Sequence, residues 1–157
     1  MRADDARTLE AYLHEHIPIS QPLGIRVLEA GPDGIRLAAP LAPNLNHRQT
    51  AFGGSLSAVA ILAAWSCLHL RLRTEGSDAR VVIQSNSMEY LAPAEGDFVA
   101  VCRAPSAERW DLFRRTLERR GRARLALDAE VYVGERLVAQ FHGQYVAILS
   151  HSAPTGR

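Results

Sequence analysis

The sequence predicts an α+β fold in which a curved antiparallel β-sheet wraps around one long buried helix. Two observations carry this prediction. Residues 54–74 have helical length and are apolar on every side, so this helix must be covered all round. In the segments after it, apolar residues recur at every second position, which is typical of strands with one face on a core. A helix buried among antiparallel strands requires a sheet that curves around it.

Three shorter elements are predicted before the long helix. Residues 1–17 carry apolar side chains at helical spacing and are predicted to form a lead-in helix. Two strands follow at 25–29 and 35–39, and the Pro and Gly residues between them predict a hairpin turn. Gly76 is expected to adopt the left-handed conformation that ends the long helix.

Four strands and one surface helix are predicted after the long helix. The strands are expected to form two hairpin-like pairs, one before and one after the surface helix. The strands are predicted at 80–90, 97–103, 122–133 and 136–149, and the helix at 107–120. Residues 151–157 are expected to form a frayed tail. This arrangement is the hotdog fold, and we interpret residues 1–157 as a single domain of that kind.

Composition and charge exclude several classes of protein. Hydrophobic residues make up 47% of the chain and the formal net charge is +1, so no global field attracts nucleic acid or an anionic membrane. Residues 51–70 carry no formal charge, but Gly, Ser and His dilute them, which favours a core helix over a membrane helix. The first ten residues lack the apolar stretch of a secretory signal, and the two cysteines lie in apolar runs. We therefore expect a cytoplasmic protein. We also expect it to use no cofactor and no metal.

The polar loop that leads into the long helix is the strongest candidate for a functional site. Gly53 and Gly54 place no Cβ at the start of the helix, so a ligand can approach the unpaired backbone amides. The helix dipole favours negative charge at the same point. Asn46 and Thr50 add polar side chains nearby. The alternative explanation of the two glycines is a tightly packed helix cap without function.

The stretch Thr50-Ala51-Phe52-Gly53-Gly54-Ser55-Leu56, with Asn46 before it and Trp65 after it, resembles a hotdog family described as "putative thioesterase". Further matches are Glu89-Tyr90-Leu91-Ala92-Pro93 and Arg120-Gly121-Arg122-Ala123, and the resemblance covers residues 22–149. The family also occurs fused behind an N-acetyltransferase domain, and members are assigned as malonyl-ACP decarboxylases. The resemblance implies an acyl thioester substrate on acyl carrier protein or coenzyme A. It also implies a homodimer, with further pairing into a dimer of dimers left open.

The candidate site departs from the better-known hotdog thioesterases. Many of those begin the helix with His-Gly-Gly and carry a carboxylate about two turns in as base or nucleophile. Here Phe52 replaces the histidine, and no carboxylate occurs between Gly53 and Thr74. Decarboxylation of a malonyl thioester needs no general base, because the barrier is the enolate charge on the thioester oxygen. The departure therefore favours decarboxylation.

Roles for individual residues follow from that hypothesis. Asn46 and the backbone amide of Gly54 or Ser55 are predicted as the donors that stabilise the enolate oxygen. Phe52 is predicted as an apolar wall that disfavours the charged carboxylate. The predicted substrate-binding residues are Thr50, Phe52, Gly53, Asn86 and Tyr90.

Several alternatives stay open. In hotdog dimers the strand that holds Asn86 and Tyr90 borders the helix of the partner, and Glu89 on the same strand is an alternative general base. An acyl-ACP or acyl-CoA thioesterase and a non-catalytic hotdog protein that binds acyl thioesters are the alternative functions. The carrier and the acyl chain length are not determined by the sequence.

Arginine is the chain's only strongly basic residue. All 18 basic residues are arginines, and eight of them fall between Arg103 and Arg124. They form either a solvated face or a docking patch for the acidic carrier protein or the phosphates of coenzyme A.

Overall fold

The computed structural model of the chain describes residues 3–150. It confirms the predicted α+β class: one antiparallel sheet curves around a long central helix. The helices and strands are α1 (Ala3–His16), β1 (Arg26–Gly31), β2 (Gly34–Ala39), α2 (Gly53–Thr74), β3 (Arg80–Tyr90), β4 (Phe98–Arg103), α3 (Ala107–Arg120), β5 (Arg122–Val133) and β6 (Arg136–Ile148). The predicted tail, residues 151–157, lies outside the described residues.

The sheet has six strands in the order β1-β2-β4-β5-β6-β3. The predicted hairpin of β1 with β2 is confirmed, as is the pairing of β5 with β6. The expected hairpin of β3 with β4 is wrong, because β3 pairs with β6 while β4 lies between β2 and β5. The connection after β3 does not turn back: the carbonyl of Ala94 accepts a hydrogen bond from the amide of Ala51, 2.8 Å away, and the chain crosses to the far side of the sheet.

Helix α2 forms the centre of the core. Its small residues let the sheet approach closely, and one face of β5 packs against it from Ala123 to Val131 with the predicted alternation. The hydroxyl of Tyr145 donates to the carbonyl of Ile61 across a distance of 2.7 Å and ties β6 to the helix. By length and composition alone α2 could cross a membrane, but most of it is buried inside this sheet. The prediction of a core helix is confirmed.

Helix α3 covers the carboxyl-terminal end of α2. Ser106 caps α3 by accepting a hydrogen bond from the amide of Arg109, and Gly121 ends it with a φ of 70°. The buried side chains of α3 are the three predicted from helical spacing, namely Trp110, Phe113 and Leu117.

Strand β3 is an edge of the sheet. Its 11 residues pair with β6 on one side, and no strand in residues 3–150 pairs with the other side. Most of its side chains are exposed, including Val82 and Tyr90. A long unpaired edge of this kind is a template for pairing with another chain.

Candidate functional site

The loop before α2 is held in shape by the side chain of Asn46. The Asn46 Oδ1 atom accepts hydrogen bonds from the amides of Arg48 (2.8 Å) and Thr50 (3.2 Å). Its Nδ2 atom donates to the Thr50 hydroxyl at 2.8 Å and to the carbonyl of Ala51 at 3.3 Å. These bonds close a turn in which Gln49 has a φ of 65°, a left-handed conformation that non-glycine residues seldom adopt.

This geometry gives Asn46 contacts that differ from those predicted. Both N–H groups of its amide are used inside the loop, so in this conformation neither points at a ligand. The Thr50 hydroxyl is likewise engaged by Asn46. Asn46 and Thr50 therefore stabilise the loop that precedes α2.

The first amides of α2 divide into bonded and free groups. The amide of Phe52 donates to the carbonyl of Asn44 at 2.7 Å, and the amide of Ser55 donates to the carbonyl of Phe52 at 2.9 Å. Within residues 3–150 the amides of Gly53 and Gly54 have no hydrogen-bond acceptor. Since no side chain caps this helix, these two N–H groups remain as donors at its positive end. Of the two amides predicted from sequence, Gly54 has a free N–H and Ser55 does not.

Two exposed aromatic rings flank these amides. A Cβ on Gly54 would lie 2.3 Å from the ring of Phe52, so the missing side chain makes room for that ring. The ring of Tyr90 packs beside Gly53, and its hydroxyl donates to the Gly53 carbonyl at 3.1 Å. Phe52 is 58% exposed and Tyr90 is 54% exposed. We call Phe52, Gly53, Gly54 and Tyr90 the helix entrance.

The other predicted residues of β3 fall on opposite faces of the sheet. Asn86 is exposed and shares the helix-facing side with Tyr90, because side chains alternate along the strand. Glu89 points to the opposite face, where it lines a hollow of about 410 Å³ with Asp128 and His142. Glu89 is therefore separated from the helix entrance by the sheet itself.

A stack of four rings, which sequence analysis missed, lies at the other end of β3. His69 is 4.4 Å from Trp65 and 4.7 Å from Tyr12 between ring centroids, and Tyr12 is 4.3 Å from His16. The Trp65 indole donates to the carbonyl of Val81 at 2.8 Å, which fixes the stack against the start of β3. We call Tyr12, His16, Trp65 and His69 the aromatic stack. The spacing of four residues within each helix was the available sequence signal.

The aromatic stack holds one imidazole in a neutral state. Burial is the main cause that lowers the pKa of His69 to about 4, and the charges of Arg73 and His16 lower it further. At neutral pH the ring of His69 therefore presents an uncharged, flat surface between two aromatic neighbours.

The helix entrance can stabilise negative charge, and the Tyr90 hydroxyl is its one side-chain polar group. Within residues 3–150, no carboxylate or imidazole forms a hydrogen bond with Gly53 or Gly54. In the same described part of the chain, no group of three or more His, Cys, Asp or Glu side chains is placed to hold a metal. The entrance therefore offers two backbone amides as hydrogen-bond donors to a polarised or negatively charged acceptor.

The arginines of the predicted docking patch divide into two sets. Some form ion pairs within the chain: Arg103 pairs with Glu130 at 2.5 Å, and Arg114 pairs with Glu75 at 3.2 Å. Others are exposed and have no ion-pair partner among the described residues, namely Arg119, Arg120, Arg122 and Arg124.

Comparisons with known proteins agree with this architecture. The family model described as "Putative thioesterase (yiiD_Cterm)" matches residues 6–149. A Chlorobaculum tepidum protein of unknown function is 35% identical, with 92% of this chain and 94% of that chain covered and a TM-score of 0.87. A Shewanella oneidensis "putative thioesterase" is 27% identical, with 94% and 99% covered and a TM-score of 0.83. A Pseudomonas aeruginosa "probable thioesterase" is 23% identical, with 91% and 95% covered and a TM-score of 0.76, which supports the fold alone. The chain therefore belongs to the "putative thioesterase" family of hotdog proteins.

Proposed function

We propose that the protein acts on acyl thioesters by holding the thioester carbonyl oxygen at the helix entrance, and that it decarboxylates a malonyl thioester. The observation that carries the proposal is the pair of free amides of Gly53 and Gly54 at the positive end of α2. Donors directed at an oxygen that becomes negative are each worth about 3 kcal/mol of transition-state stabilisation.

The proposed reaction uses these donors and the substrate's own carboxylate. The bond between the carboxylate carbon and the α-carbon breaks, carbon dioxide leaves, and the electron pair moves through the α-carbon to the thioester oxygen. The resulting enolate is held by the amides of Gly53 and Gly54 and takes a proton from water at its α-carbon, which releases hydroxide. The product is the acetyl thioester. The ring of Phe52 supplies an apolar surface that destabilises the carboxylate before it leaves.

Asn46 takes a different role in this proposal from the one its sequence suggested. Because its amide is used inside the loop, we assign Asn46 as a positioning residue. It maintains the turn that places Gly53 and Gly54, while the two glycines supply the donors.

Hydrolysis of the thioester is the second candidate function. The family description and the naming of the Shewanella oneidensis relative support it. It requires a base that activates water, and no such group of this chain contacts the helix entrance within residues 3–150. A thioesterase would therefore have to take its base from a second subunit or from the carrier.

A homodimer formed through β3 completes the proposed site. The unpaired edge of β3 is 11 residues long and flanks the helix entrance through Tyr90. Antiparallel pairing of this edge with a second copy would satisfy its free backbone groups and enclose the exposed rings of Phe52 and Tyr90. Further pairing of dimers, like the predicted cytoplasmic location, remains a prediction.

The exposed arginines are the proposed contact for the carrier. Arg119, Arg120, Arg122 and Arg124 present guanidinium groups that pair with carboxylates or phosphates. Binding of acyl carrier protein or coenzyme A at this patch predicts a steep loss of apparent affinity with added salt. Affinity independent of salt would contradict the patch, and it would leave the chemistry at the entrance unaffected.

One assay separates the candidate functions. The protein is incubated with malonyl-ACP and with malonyl-CoA, and carbon dioxide, acetyl thioester and free thiol are measured together. Decarboxylation predicts equal amounts of carbon dioxide and acetyl thioester without free thiol. Free thiol without acetyl thioester identifies a thioesterase, and binding without either product identifies the non-catalytic alternative.

Asn46→Ala tests the positioning role in the same assay. Loss of the turn should lower kcat about tenfold with a smaller change in KM, a size typical of a misplaced catalytic group. Asn46→Asp is the matched variant: it keeps the acceptor for the amides of Arg48 and Thr50 and should recover part of the rate. An unchanged kcat in Asn46→Ala would contradict the role.

A further inference from the structure

The two ends of β3 carry different features on the same face of the sheet. At its carboxyl end, Tyr90 bonds to Gly53 at the helix entrance. At its amino end, the carbonyl of Val81 accepts the hydrogen bond of Trp65 in the aromatic stack. Gly54 and Trp65 lie eleven positions apart on α2, which corresponds to about 17 Å along the helix. Within one chain, a two- or three-carbon acyl group held at Gly54 is therefore too short to reach the indole of Trp65.

A two-fold axis that pairs β3 with its own copy brings the two features together across the interface. In an antiparallel pair centred near the middle of the strand, the carboxyl end of one β3 lies beside the amino end of the other. The helix entrance of each subunit then faces the aromatic stack of the partner subunit.

The exposed surface of the aromatic stack suits that position. Trp65 and Tyr12 are only half buried in the single chain, although both are large and otherwise well packed. They extend a line of half-buried positions on α2 that includes Ala58 and Ile61. Half-buried aromatic rings beside an unpaired strand are typical of a surface that a second subunit covers.

We propose that the aromatic stack of each subunit forms the wall that contacts the acyl group bound at the helix entrance of the partner subunit, with Trp65 setting the size of acyl group accepted. The inference rests on the proposed action on acyl thioesters and adds to it the residues that recognise the acyl group. The carbonyl oxygen is held by the amides of Gly53 and Gly54, and the acyl carbons extend across the interface to the indole of the partner's Trp65. The flat, uncharged faces of Trp65 and Tyr12 select a short acyl group over a long one by filling the space that a longer chain needs.

A crosslinking experiment tests the arrangement without any need for catalysis. Arg80 and Glu89 are exposed at opposite ends of β3, and their side chains share the face away from α2. In the double variant Arg80→Cys/Glu89→Cys, a bismaleimide with a reach of about 10 Å cannot join two sites that lie about 30 Å apart within one strand. The native cysteines are buried.

The expected result is a covalent dimer on a denaturing gel for the double variant and none for either single variant. A double variant that stays monomeric after crosslinking overturns the inference, since the entrance and the stack would then not meet. The proposed action on thioesters is measured separately and survives that outcome.

A subunit-mixing experiment tests the function of the stack. One subunit carries Gly54→Val, which blocks the helix entrance, and the other carries Trp65→Leu, which shortens the wall. The two subunits are co-expressed with different tags and purified as heterodimers. If the wall acts across the interface, each heterodimer holds one fully intact site, built from the entrance of the Trp65→Leu subunit and the stack of the Gly54→Val subunit.

The measured quantity is the ratio of kcat/KM for a malonyl thioester to that for a malonyl thioester that carries a three-carbon alkyl group on its α-carbon. We expect the Trp65→Leu homodimer to shift this ratio about tenfold toward the longer chain. The heterodimer should recover the wild-type ratio and about half of the wild-type rate. Trp65→Phe is the control that removes the bond to Val81 but keeps a ring, and it should change the ratio least.

Two outcomes would overturn the proposed role of the stack. A heterodimer with the ratio of the Trp65→Leu parent would place the wall in the same subunit as the entrance. A Trp65→Leu homodimer with an unchanged ratio would remove Trp65 from acyl recognition. If the wild-type protein turns over no thioester, the proposed function fails, and the crosslinking result still decides whether entrance and stack are neighbours.

Discussion

The two ends of helix α2 are built in opposite ways. At its carboxyl end, Gly76 provides a left-handed residue, and the side chain of Glu75 accepts the indole N–H of Trp110 at 2.9 Å. Arg71 lies 4.3 Å above the ring of that same tryptophan. At the amino end, no side chain of the described residues caps the helix, and two aromatic rings lie exposed beside free amides. The same helix is therefore closed at one end and open at the other.

The difference indicates that the carboxyl end of α2 serves stability and that its amino end serves function. The closed end satisfies its polar groups inside the chain and buries its aromatic side chain, as expected of a part that holds the fold together. Among residues 3–150, the open end leaves two amides without acceptors and two aromatic rings largely exposed, which costs stability unless a ligand or a second subunit covers them. Substitutions at the closed end should therefore change the free energy of unfolding, and substitutions at the open end should change activity.

Trp110→Ala should give the largest effect at the closed end. Trp110 is 2% exposed, and truncating a buried aromatic side chain costs about 3 to 5 kcal/mol of unfolding free energy. Thermal unfolding should show a Tm lower by about 10 °C for a chain of this size. Activity measured well below that Tm should stay near the wild-type value. Leu112→Ala, on the exposed side of the same helix, is the matched control and should leave the Tm almost unchanged.

Gly54→Val should give the corresponding loss at the open end. A Cβ at this position meets the ring of Phe52 at 2.3 Å, so the new side chain competes with the ring for the space beside the free amide. We expect kcat/KM for the thioester to fall about 100-fold, the effect of removing one donor at a developing oxyanion. The Tm should hold or rise, because valine restricts the unfolded chain more than glycine does. Thr74→Val at the other end of α2 is the control, and a comparable loss of activity there would contradict the assignment.

The aromatic stack predicts a loss of stability in mild acid. Burial lowers the pKa of His69 to about 4 in the folded state, whereas its ordinary value is 6.5. Between these values the unfolded chain binds more protons, so the free energy of unfolding falls as the pH decreases from about 6.5 to 4. A difference of this size corresponds to a loss of up to about 3 kcal/mol from this group.

His69→Phe provides the test of that pH dependence. The variant keeps a stacking ring and removes the titration, so its unfolding free energy from urea titrations should depend less steeply on pH over this interval. Equal slopes for the variant and the wild type would show that His69 is not the group responsible.

Most of the fold could be predicted from the sequence because its signals are local. The alternation of β5, the uniform apolarity of α2 and the left-handed position of Gly76 each depend on neighbouring residues only. The pairing of β3 was not predictable in this way. The Pro93-containing connection has turn composition, but its direction depends on the contact of Ala94 with Ala51, which brings together distant parts of the chain.

In the candidate site, too, local features could be predicted from the sequence and long-range contacts could not. Gly53 and Gly54 could be recognised because adjacent glycines at a helix start expose amides whatever surrounds them. The contacts of Asn46 could not, because an amide side chain bonds equally well to a ligand or to its own loop. The aromatic stack combines α1 with α2, and only the fold brings these helices together.

Gly76→Ala should give the smallest effect and completes the comparison of the two glycine positions. Gly76 has a φ of 78°, and a Cβ there would meet no atom of the described residues within 4 Å, so the expected cost is backbone strain. We expect about 1 kcal/mol of lost unfolding free energy and a Tm lower by about 3 °C. Activity should be unchanged, since the residue lies at the far end of the helix from Gly53. Steady-state kinetics and thermal unfolding of Gly76→Ala and Gly54→Val measured side by side would show opposite patterns if the open end of α2 serves function and the closed end serves stability. If both variants lost activity to the same degree, the helix would act as one unit and its free amides would carry no special role.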